Sequence, residues 1–402
     1  MKMMEKRVIR DPIHGYIHIS EQLIWDLMNT REFQRLRRIR QLGSTPVVFP
    51  SGTHTRMLHS LGVYEVARRM LEEVDDLKDI LNEREKLRVL AAALLHDIGH
   101  FPFSHSFEAI MNCSHEDYTI RIIKGPSEIR NVLDEVDEAF ADEVAAIISH
   151  AHPNAILSQI ISSQLDADRL DYLLRDSYYT GTAYGRVDLD RILRTMRVRN
   201  NVLALKQSSI YTVESYIMAR YHMYWQVYFH PNSRSFDSIL KSLFLRLQDL
   251  YETDHGIADE YPMYRALLEK QWLSNDEFFL LDDETCSYSF NLMRNSSDEV
   301  LRDLAVRIMD RHLFEYTNSE HENELIETCL RKGLDPRYYV VKDHQRQIPY
   351  LPYQGYNGSD SIWMAMSDGS LRELSEVSTV VGSLMDINEQ DERVFYPGEL
   401  MK

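Results

Sequence analysis

The stretch KLRVLAAALLHDIGHFPFSH, residues 86–105, decides the fold of this chain and the chemistry that it can support. Its first half is apolar on nearly every side of a helix, which predicts a helix buried at the centre of the protein. Three imidazoles and one carboxylate follow at the end of that helix: His96, Asp97, His100 and His105. Such groups are costly to bury without partners, so we expect a metal ion and an anionic substrate to satisfy them.

Two further candidate ligands lie on other predicted helices. His59 opens HSLGVYEVARRMLEEV, residues 59–74, whose apolar residues recur with a period of 3.6. Asp168 lies in QLDADRLDYLLRDSYY, residues 164–179, which continues the helical pattern. With the His-Asp pair that ends the buried helix, they form a set of ligands that suits a divalent ion such as Mn, Mg, Fe, Zn, Ni or Co. Each residue alone is more often structural, and the His-rich segment after the pair is what favours a functional role.

The hydrophobic pattern predicts a mainly α protein with a small α+β region at its C-terminal end. VIRDPIHGYIHI, residues 8–19, reads as an extended opening with a turn at its Pro and Gly. VESYIMARYHMYWQVYFHP, residues 213–231, reads as one long helix that stops near its final Pro. From Arg337 onward, RYYVVKDHQ has strand-like content, and a turn at Asp368-Gly369 predicts a hairpin.

Length and charge exclude several classes of protein. The chain has 402 residues, 44% hydrophobic and 27% charged, which is ordinary for a globular protein of more than one typical domain. The net charge of −18 argues against a general surface for nucleic acid, so such a partner is not indicated. A basic run still leaves room for a local anion pocket: Arg35, Arg37, Arg38 and Arg40.

Cysteine usage and apolar segments predict a cytoplasmic location without a membrane partner. The three cysteines are far apart and odd in number, so no disulfide framework is expected. The first residues lack the apolar stretch of a secretory signal. The longest apolar run, Val89 to Leu95, is too short to cross a bilayer.

Longer strings resemble one enzyme family. They run almost unbroken from Val8 to Ser235: DPIHGYIHI, FQRLRRIRQLG, FPSGTHTRMLHSLGV, HDIGHFPFSHSFE, HEDYT and LDADRLDYLLRDSYYTG. This part of the chain resembles the HD-domain phosphohydrolase superfamily and, within it, the deoxynucleoside triphosphate triphosphohydrolases. We therefore expect a helical HD-domain catalytic core over residues 1–235, a helical extension over 236–336 and the small α+β region over 337–402.

The resemblance implies cleavage of a deoxynucleoside triphosphate between the 5′ oxygen and the α-phosphorus, which releases a deoxynucleoside and triphosphate. The implied metal ligands are His59, His96, Asp97 and Asp168. The implied groups around the α-phosphate are His100, His105, Glu108 and His115, and relatives carry Asp or Glu at the position of Glu108. A protonated histidine would donate to the leaving 5′ oxygen, and both His115 and His105 are candidates for this acid.

The same resemblance implies how the substrate is held. Tyr172 and Asp176 match contacts to the deoxyribose 3′-hydroxyl, and they follow Asp168 at helical spacing on one face. Arg169 and Tyr224 stand where the vertebrate enzyme of the family has Lys and His. The full set of matching substrate contacts is Gln41, Leu42, Arg56, Arg169, Tyr172, Asp176, Arg220, Tyr224 and Tyr228.

Relatives of this kind bind an activating nucleotide at a subunit interface. Gln34 and Arg37 match that pattern, whereas Arg10 and Asn29 depart from it at positions that bear on guanine recognition. The resemblance thus implies a nucleotide activator as a candidate partner, without guanine specificity. It also implies a homo-dimer or homo-tetramer.

Two other functions are compatible with part of the pattern. One is an HD phosphohydrolase that acts on a nucleoside monophosphate or a signalling nucleotide. The other is a non-catalytic regulator that senses nucleotides or binds nucleic acid. Tyr172, Asp176 and Arg220 favour a deoxy sugar and a triphosphate, and the complete set of metal ligands argues against lost catalysis.

Overall fold

The N-terminal half of the chain is helical apart from one β-hairpin. A computed structural model describes residues 2–111, 113–347, 350, 361–385, 387 and 389–401, with the side chains of residues 2, 4, 105, 109, 347 and 389 outside that description. The hairpin strands are β1 (Lys2–Asp11) and β2 (Gly15–Glu21). The helices that follow are α1 (Gln22–Met28), α2 (Arg31–Arg35), α3 (Arg56–Glu73), α4 (Asp75–Ile80), α5 (Glu83–Leu95), α6 (His105–Met111), α7 (His115–Lys124), α8 (Glu128–Asp134), α9 (Phe140–Ile148), α10 (Ala155–Ile161) and α11 (Ala167–Thr180).

The C-terminal half continues with helices and adds short strands. Its helices are α12 (Leu189–Thr195), α13 (Ile210–Met223), α14 (Pro231–Thr253), α15 (Ile257–Glu260), α16 (Arg265–Leu268), α17 (Asn275–Leu280), α18 (Asp283–Met293), α19 (Glu299–Asp310), α20 (Glu322–Arg331), α21 (Pro336–Tyr339), α22 (Leu374–Val377) and α23 (Thr379–Leu384). Its strands are β3 (Met196–Arg199), β4 (Val202–Lys206), β5 (Glu315–Asn318), β6 (Val341–Gln347), β7 (Trp363–Ala365), β8 (Leu371–Glu373) and β9 (Glu389–Tyr396). The mainly α fold with small sheets is the predicted class.

The apolar segment that the sequence singles out is α5, and the prediction of a buried central helix is confirmed. Residues from Val89 to Leu95 are at most 8% exposed. The helix begins with a capping box, in which Asn82 accepts hydrogen bonds from the backbone of Arg84 and Glu85, and Glu85 accepts one from Asn82 in return. Helices α1, α3, α9 and α10 pack around it. Within the described part of the chain, no helix is long and apolar enough to span a membrane.

Helix α3 brings the central helix and α11 together. Its predicted apolar face is buried, from Val63 at one end to Val74 at the other. It packs against α5 on one side and α11 on the other. Helix α3 therefore contacts both of the other helices that carry candidate ligands.

The predicted extended opening is an antiparallel hairpin of β1 and β2. At its turn Gly15 has a φ of 74°, a conformation that glycine adopts readily. The carboxylate of Asp11 accepts hydrogen bonds from the backbone N–H groups of Ile13 and His14, both at 2.9 Å. These bonds fix the turn and hold His14 where its ring reaches α11.

Strands of the C-terminal region complete two sheets that begin earlier in the chain. β7 pairs in parallel with β4 and antiparallel with β8, which gives the order β3-β4-β7-β8. β9 lies between β5 and β6 in a three-stranded antiparallel sheet. The predicted turn joins β7 to β8, and Gly369 has a φ of 86° there. The boundaries expected after residues 235 and 336 lie within α14 and α21.

The strand expected from Arg337 begins later than predicted. Residues 336–339 form α21, because Asp335 caps that helix and Pro336 occupies its first turn. The strand β6 starts only at Val341. The two tyrosines that indicated a strand, Tyr338 and Tyr339, therefore lie in a short helix.

The segment predicted as one long helix over residues 213–231 is helical up to Tyr228, but its last part is not α-helical. Helix α13 ends at Met223, and a π-helical turn follows over Tyr224–Tyr228. It is closed by a hydrogen bond of 2.8 Å from the backbone of Phe229 to the carbonyl of Tyr224. Such turns are frequent at functional sites, and this one places two predicted substrate contacts.

Candidate metal centre and substrate contacts

The four predicted metal ligands converge where α3, α5 and α11 meet. His59 lies on α3, His96 ends α5 with Asp97 directly after it, and Asp168 lies in the first turn of α11. Nε2 of His59 lies 3.0 Å from Oδ1 of Asp168 and 3.8 Å from Oδ2 of Asp97. Nε2 of His96 lies 3.4 Å from Oδ1 of Asp97 and 3.9 Å from Oδ1 of Asp168. The ligand atoms of His59, His96 and Asp168 all lie within 4.8 Å of one another, close enough to share one ion at bond lengths of about 2.0–2.2 Å, and Asp97 forms a second such group with His100 and His115.

Both imidazoles are oriented by the nitrogen that faces away from the centre. Nδ1 of His59 bonds to Oδ2 of Asp171 at 2.8 Å, and Nδ1 of His96 bonds to the carbonyl of Ala93 at 2.9 Å. Such bonds fix the tautomer and leave Nε2 as the ligand. Nε2 of His96 is buried with no hydrogen-bond partner among the described groups. An orphaned ligand nitrogen beside two carboxylates is what a divalent metal ion would satisfy.

The charges of the cluster suit a bound cation. Burial opposes a charged His59, but hydrogen bonds to Asp168 and Asp171 outweigh it and raise the pKa of His59 to about 10. Burial also opposes ionisation of Asp97, yet the nearby His96 and Arg56 hold the pKa of this carboxyl well below its usual range. The carboxylates are therefore ionised at neutral pH, and metal binding would replace a proton on His59.

A buried network behind His59 was missed by the sequence reasoning. The carboxylate of Asp171 bonds to His59 and, through Oδ1, to Nε2 of His14 at 2.7 Å. Arg175 donates two hydrogen bonds of 2.9 Å to Asp171 and one of 2.9 Å to Asp11. The signals were the Asp and His of the DPIHG string and the Asp171–Arg175 spacing on α11. The N-terminal hairpin thus supports a metal ligand through Asp171, which His14 contacts directly and Asp11 through Arg175.

A glycine on α3 makes room for this network, and its replacement should disturb the metal centre. A Cβ on Gly62 would lie 1.9 Å from Oδ1 of Asp171 and 2.4 Å from a guanidinium nitrogen of Arg175. We expect Gly62→Ala to displace Asp171 from His59 and to cost about 1–3 kcal/mol of stability. Thermal denaturation and metal content of the purified protein measure both effects. Glu72→Ala, on the exposed part of the same helix, is the control, and unchanged values for Gly62→Ala would refute the expectation.

A second cluster touches the metal ligand Asp97. The rings of His100 and His115 stack with centroids 3.8 Å apart and planes 14° apart. Oε1 of Glu108 bonds to Nδ1 of His115 at 2.6 Å, and Nε2 of His100 lies 3.3 Å from Oδ1 of Asp97. The structure therefore brings three of the four predicted catalytic residues together beside the ligands. The side chain of the fourth, His105, lies outside the described residues.

The two stacked imidazoles have opposite protonation preferences. Burial, with the nearby charge of Arg56, lowers the pKa of His100 well below its usual value. Burial acts against a charged His115 too, but its hydrogen bond with Glu108 outweighs this and raises the pKa of His115. His115 is therefore the imidazole of this pair that holds a proton more readily.

The loop between Asp97 and α6 has a strained backbone. Phe103 and Ser104 have φ values of 53° and 52°, in the left-handed region that costs other residues than glycine about 1–2 kcal/mol each. Arg56 donates to the hydroxyl of Ser104 at 2.7 Å and to Oδ2 of Asp97 at 2.5 Å. Arg56, one of the predicted substrate contacts, thus lies against a metal ligand, and its buried Nε has no hydrogen-bond partner among the described groups.

The predicted sugar contacts meet across α11 and the π-helical turn. The hydroxyl of Tyr228 donates to Oδ2 of Asp176 at 2.8 Å, and Nε2 of His54 bonds to Oδ1 at 2.8 Å. The ring of Tyr172 lies 6.2 Å from that of Tyr228 and 6.5 Å from that of His59. A line of rings therefore leads from the metal ligands to the buried Asp176. His54 was not predicted, although it lies in one of the strings that carried the resemblance.

The remaining predicted substrate contacts lie around the same helices. Arg220 on α13 donates to Oε1 of Gln164 at 2.7 Å, and its buried Nε has no hydrogen-bond partner in the described part of the chain. Arg169 on α11, which packs against α13, donates through Nε to the carbonyl of Ser163 at 2.6 Å. The other members are Tyr224, whose ring lies 5.2 Å from that of Tyr228; Gln41, whose Oε1 is buried without a described partner; and Leu42, which lies beside Gly52.

The two residues predicted for an activator lie together at the protein surface. Nε of Arg37 donates to Oε1 of Gln34 at 2.7 Å, and Arg37 is exposed. Arg10, which departs from the expected pattern, lies over the ring of Tyr16 on the hairpin, 4.7 Å from its centroid. The activator therefore stays a prediction.

Two parts of the chain match known protein families. Residues 56–176 match the HD domain, and residues 187–258 match the HD associated region. Over its full length the chain is 41% identical to the uncharacterized protein YwfO of Bacillus subtilis and covers 94% of it. All four candidate ligands and the sugar contacts on α11 lie within the first matched range.

One curated relative and one solved structure bear on chemistry. The chain is 27% identical to the human deoxynucleoside triphosphate triphosphohydrolase SAMHD1 over 77% of its own length, and it spans 54% of that protein. It is similar to the crystal structure of a phosphohydrolase from Bacteroides thetaiotaomicron, with a TM-score of 0.85 and 28% identity. That likeness covers 98% of this chain and 100% of the other.

Proposed function

Because the chain belongs to the HD-domain phosphohydrolase family, we propose that it converts deoxynucleoside triphosphates into deoxynucleosides and triphosphate. Members of this family depend on a metal ion, and the ligand cluster described above would hold it. What the proposal adds to the family membership is the identity of the substrate. It is supported by the similarity to the human triphosphohydrolase and by the residues that line the way from the ligands to Asp176.

The observation that carries the proposal is the path from the metal ligand His59 past the ring of Tyr172 to Tyr228 and its hydrogen-bond partner Asp176. The Tyr172 ring would pack against a sugar and leave little room for a 2′-hydroxyl. Asp176 already accepts bonds from His54 and Tyr228, but a carboxylate has about four acceptor sites, so it can also accept from a 3′-hydroxyl. A deoxyribose is therefore the sugar that the surface formed by Tyr172 and Asp176 fits best.

The triphosphate would be held by charge. A divalent ion at the four ligands would polarise a phosphoryl oxygen and make water a stronger nucleophile. Arg220 and Arg169 lie on the neighbouring helices, where planar guanidinium groups can bind phosphate oxygens at two points. The unpartnered Nε of Arg220 is one donor that an anion would satisfy.

His115 is the proposed general acid for the leaving 5′ oxygen. Glu108 holds its Nδ1, so Nε2 is the nitrogen that can carry the transferred proton. His100 stacks on the same ring, and its lowered pKa favours the neutral form. It is therefore better suited to accept a hydrogen bond than to act as an acid. This assignment selects one of the two histidines that the sequence left open.

Product analysis tests the proposal. The metal-loaded protein is incubated with each dNTP and each rNTP, singly and in mixtures, in water enriched in 18O. We expect a deoxynucleoside and triphosphate from dNTPs, with 18O in the triphosphate because water attacks phosphorus. Mixtures are included because a second nucleotide is a candidate activator.

Other products would point to other functions. Pyrophosphate with a nucleoside monophosphate would contradict the proposed bond cleavage. Turnover of monophosphates or signalling nucleotides alone would assign another substrate to the same site. No reaction in any mixture, together with tight nucleotide binding, would favour a sensor without catalysis.

A further inference from the structure

Asp283, the first residue of α18, contacts two segments of the site although it lies outside both matched regions of the chain. Oδ1 accepts a hydrogen bond of 3.0 Å from the backbone N–H of Phe103, in the strained loop after Asp97. Oδ2 accepts one of 2.6 Å from the backbone N–H of Arg40, the residue before Gln41. The residue is 4% exposed. One buried carboxylate thus binds two backbone segments that are far apart in sequence.

A buried arginine reinforces the same junction. Arg35 is 1% exposed, and its guanidinium donates to the carbonyl of His100 at 2.8 Å and to the carbonyl of Leu281 at 3.0 Å. It also lies over the ring of Phe278, 4.1 Å from the centroid. Leu281 and the start of α18 are therefore linked to the loop between Asp97 and α6, here called the catalytic loop. Arg35 makes the link at the carbonyl of His100, and Asp283 makes it at the N–H of Phe103.

These attachments matter because the loop between them has a strained backbone. Phe103 and Ser104 have positive φ values, which other residues than glycine keep only where the surroundings enforce them. Ser104 in turn receives a hydrogen bond from Arg56, which also bonds to the metal ligand Asp97. A shift of Phe103 would therefore move Ser104 and Arg56, which would lie close to a bound phosphate.

We propose that Asp283 is a positioning residue for the HD site: its two backbone hydrogen bonds fix the catalytic loop at Phe103 relative to the Gln41 segment. It acts through the backbone and touches no reacting atom. The helical extension then has a defined part in catalysis, since it supplies this carboxylate. The inference depends on the proposed function only because dNTP turnover is one of its readouts.

The test compares Asp283→Asn with Asp282→Asn in the full-length, metal-loaded protein. The amide at 283 keeps one acceptor oxygen and loses the other, so one of the two N–H groups loses its partner. We expect kcat for dNTP hydrolysis to fall about 10- to 100-fold, because displacements near 1 Å have effects of that size, while KM changes much less. Asp282 is equally buried, caps the same helix by accepting from the backbone of Thr285 at 2.8 Å and pairs with Arg38 at 2.5 Å, so its variant removes a charge at this junction and keeps the hydrogen bond to Phe103. Its variant should keep a kcat close to that of the natural protein.

Hydrogen exchange separates this inference from the proposed function. Measured without nucleotide, amides in the segments 98–107 and 37–44 should exchange faster in Asp283→Asn than in Asp282→Asn. This readout holds even if the natural protein turns over no dNTP, in which case the proposed function alone fails. Equal kcat values in the two variants, or equal exchange in both segments, would overturn the positioning role. If Asp283→Asn does not fold, Asp283→Glu, which keeps both oxygens but moves them, is compared in the same way.

Discussion

Replacing Asp97 with alanine is expected to abolish turnover and to strip the metal from the protein. Asp97 lies within 3.8 Å of Nε2 of both histidine ligands, and its carboxylate is ionised, so it supplies charge that a cation needs. Loss of a residue that merely orients a ligand costs about 10- to 100-fold in metal affinity or activity, and loss of a ligand should exceed that. Metal per chain after dialysis and triphosphate released per minute are the two measurements.

The matched control for this variant is Asp276→Ala. Asp276 also pairs with an arginine, Arg31 at 2.6 Å, but its side chain is 84% exposed and lies on the surface. It should keep full metal content and turnover. An Asp97→Ala protein that retained its metal or its activity would remove the ligand assignment, whatever the substrate proves to be.

His115→Gln is the second change with a large expected effect. A positioned general acid contributes about 10²- to 10⁴-fold to a rate, so kcat should fall within that range while metal content stays unchanged. His255→Gln, which changes an exposed histidine on the segment after α14, is the control. A kcat within threefold of that control would exclude His115 as the acid and would leave His105 as the remaining candidate.

The pH profile gives an independent measure of the same role. An acid must be protonated to act, so activity is lost as pH rises through the pKa of His115, which Glu108 raises. Glu108→Gln keeps a hydrogen-bond acceptor but removes the charge, so the pKa of His115 should fall. The alkaline limb of kcat/KM should then move to lower pH. Glu116→Gln, in the exposed first turn of α7, should leave the limb in place, and an unmoved limb in Glu108→Gln would contradict the assignment.

The sequence predicts most of the centre because its ligands lie on regular helices next to strong local signals. The buried helix α5, the apolar face of α3 and the position of the His-Asp pair follow from hydrophobic periodicity, and all are confirmed. The family that the strings indicated is confirmed as well. What the strings could not show is which side chains meet, since that depends on how three helices pack.

The residues that the sequence did not reveal are those whose partners lie far away along the chain. Asp171 was read as part of a helix, but its role depends on His14 and His59, which other elements bring to it. Asp283 has no local signal at all, because its partners are two backbone N–H groups. The π-helical turn was missed for another reason, since its residues have the same apolar and aromatic pattern as an ordinary helix.

The two sheets that the C-terminal strands complete also govern when this protein can finish folding. During synthesis, β4 and β5 emerge well before β7 and β9, the strands that lie beside them. Pairing between such distant segments is slow, and an unpaired strand edge readily recruits another chain. A product truncated before β7 would carry all four metal ligands and still present β4 as an open edge to its neighbours. Such a product would tend to aggregate during synthesis, although its metal ligands would all be present.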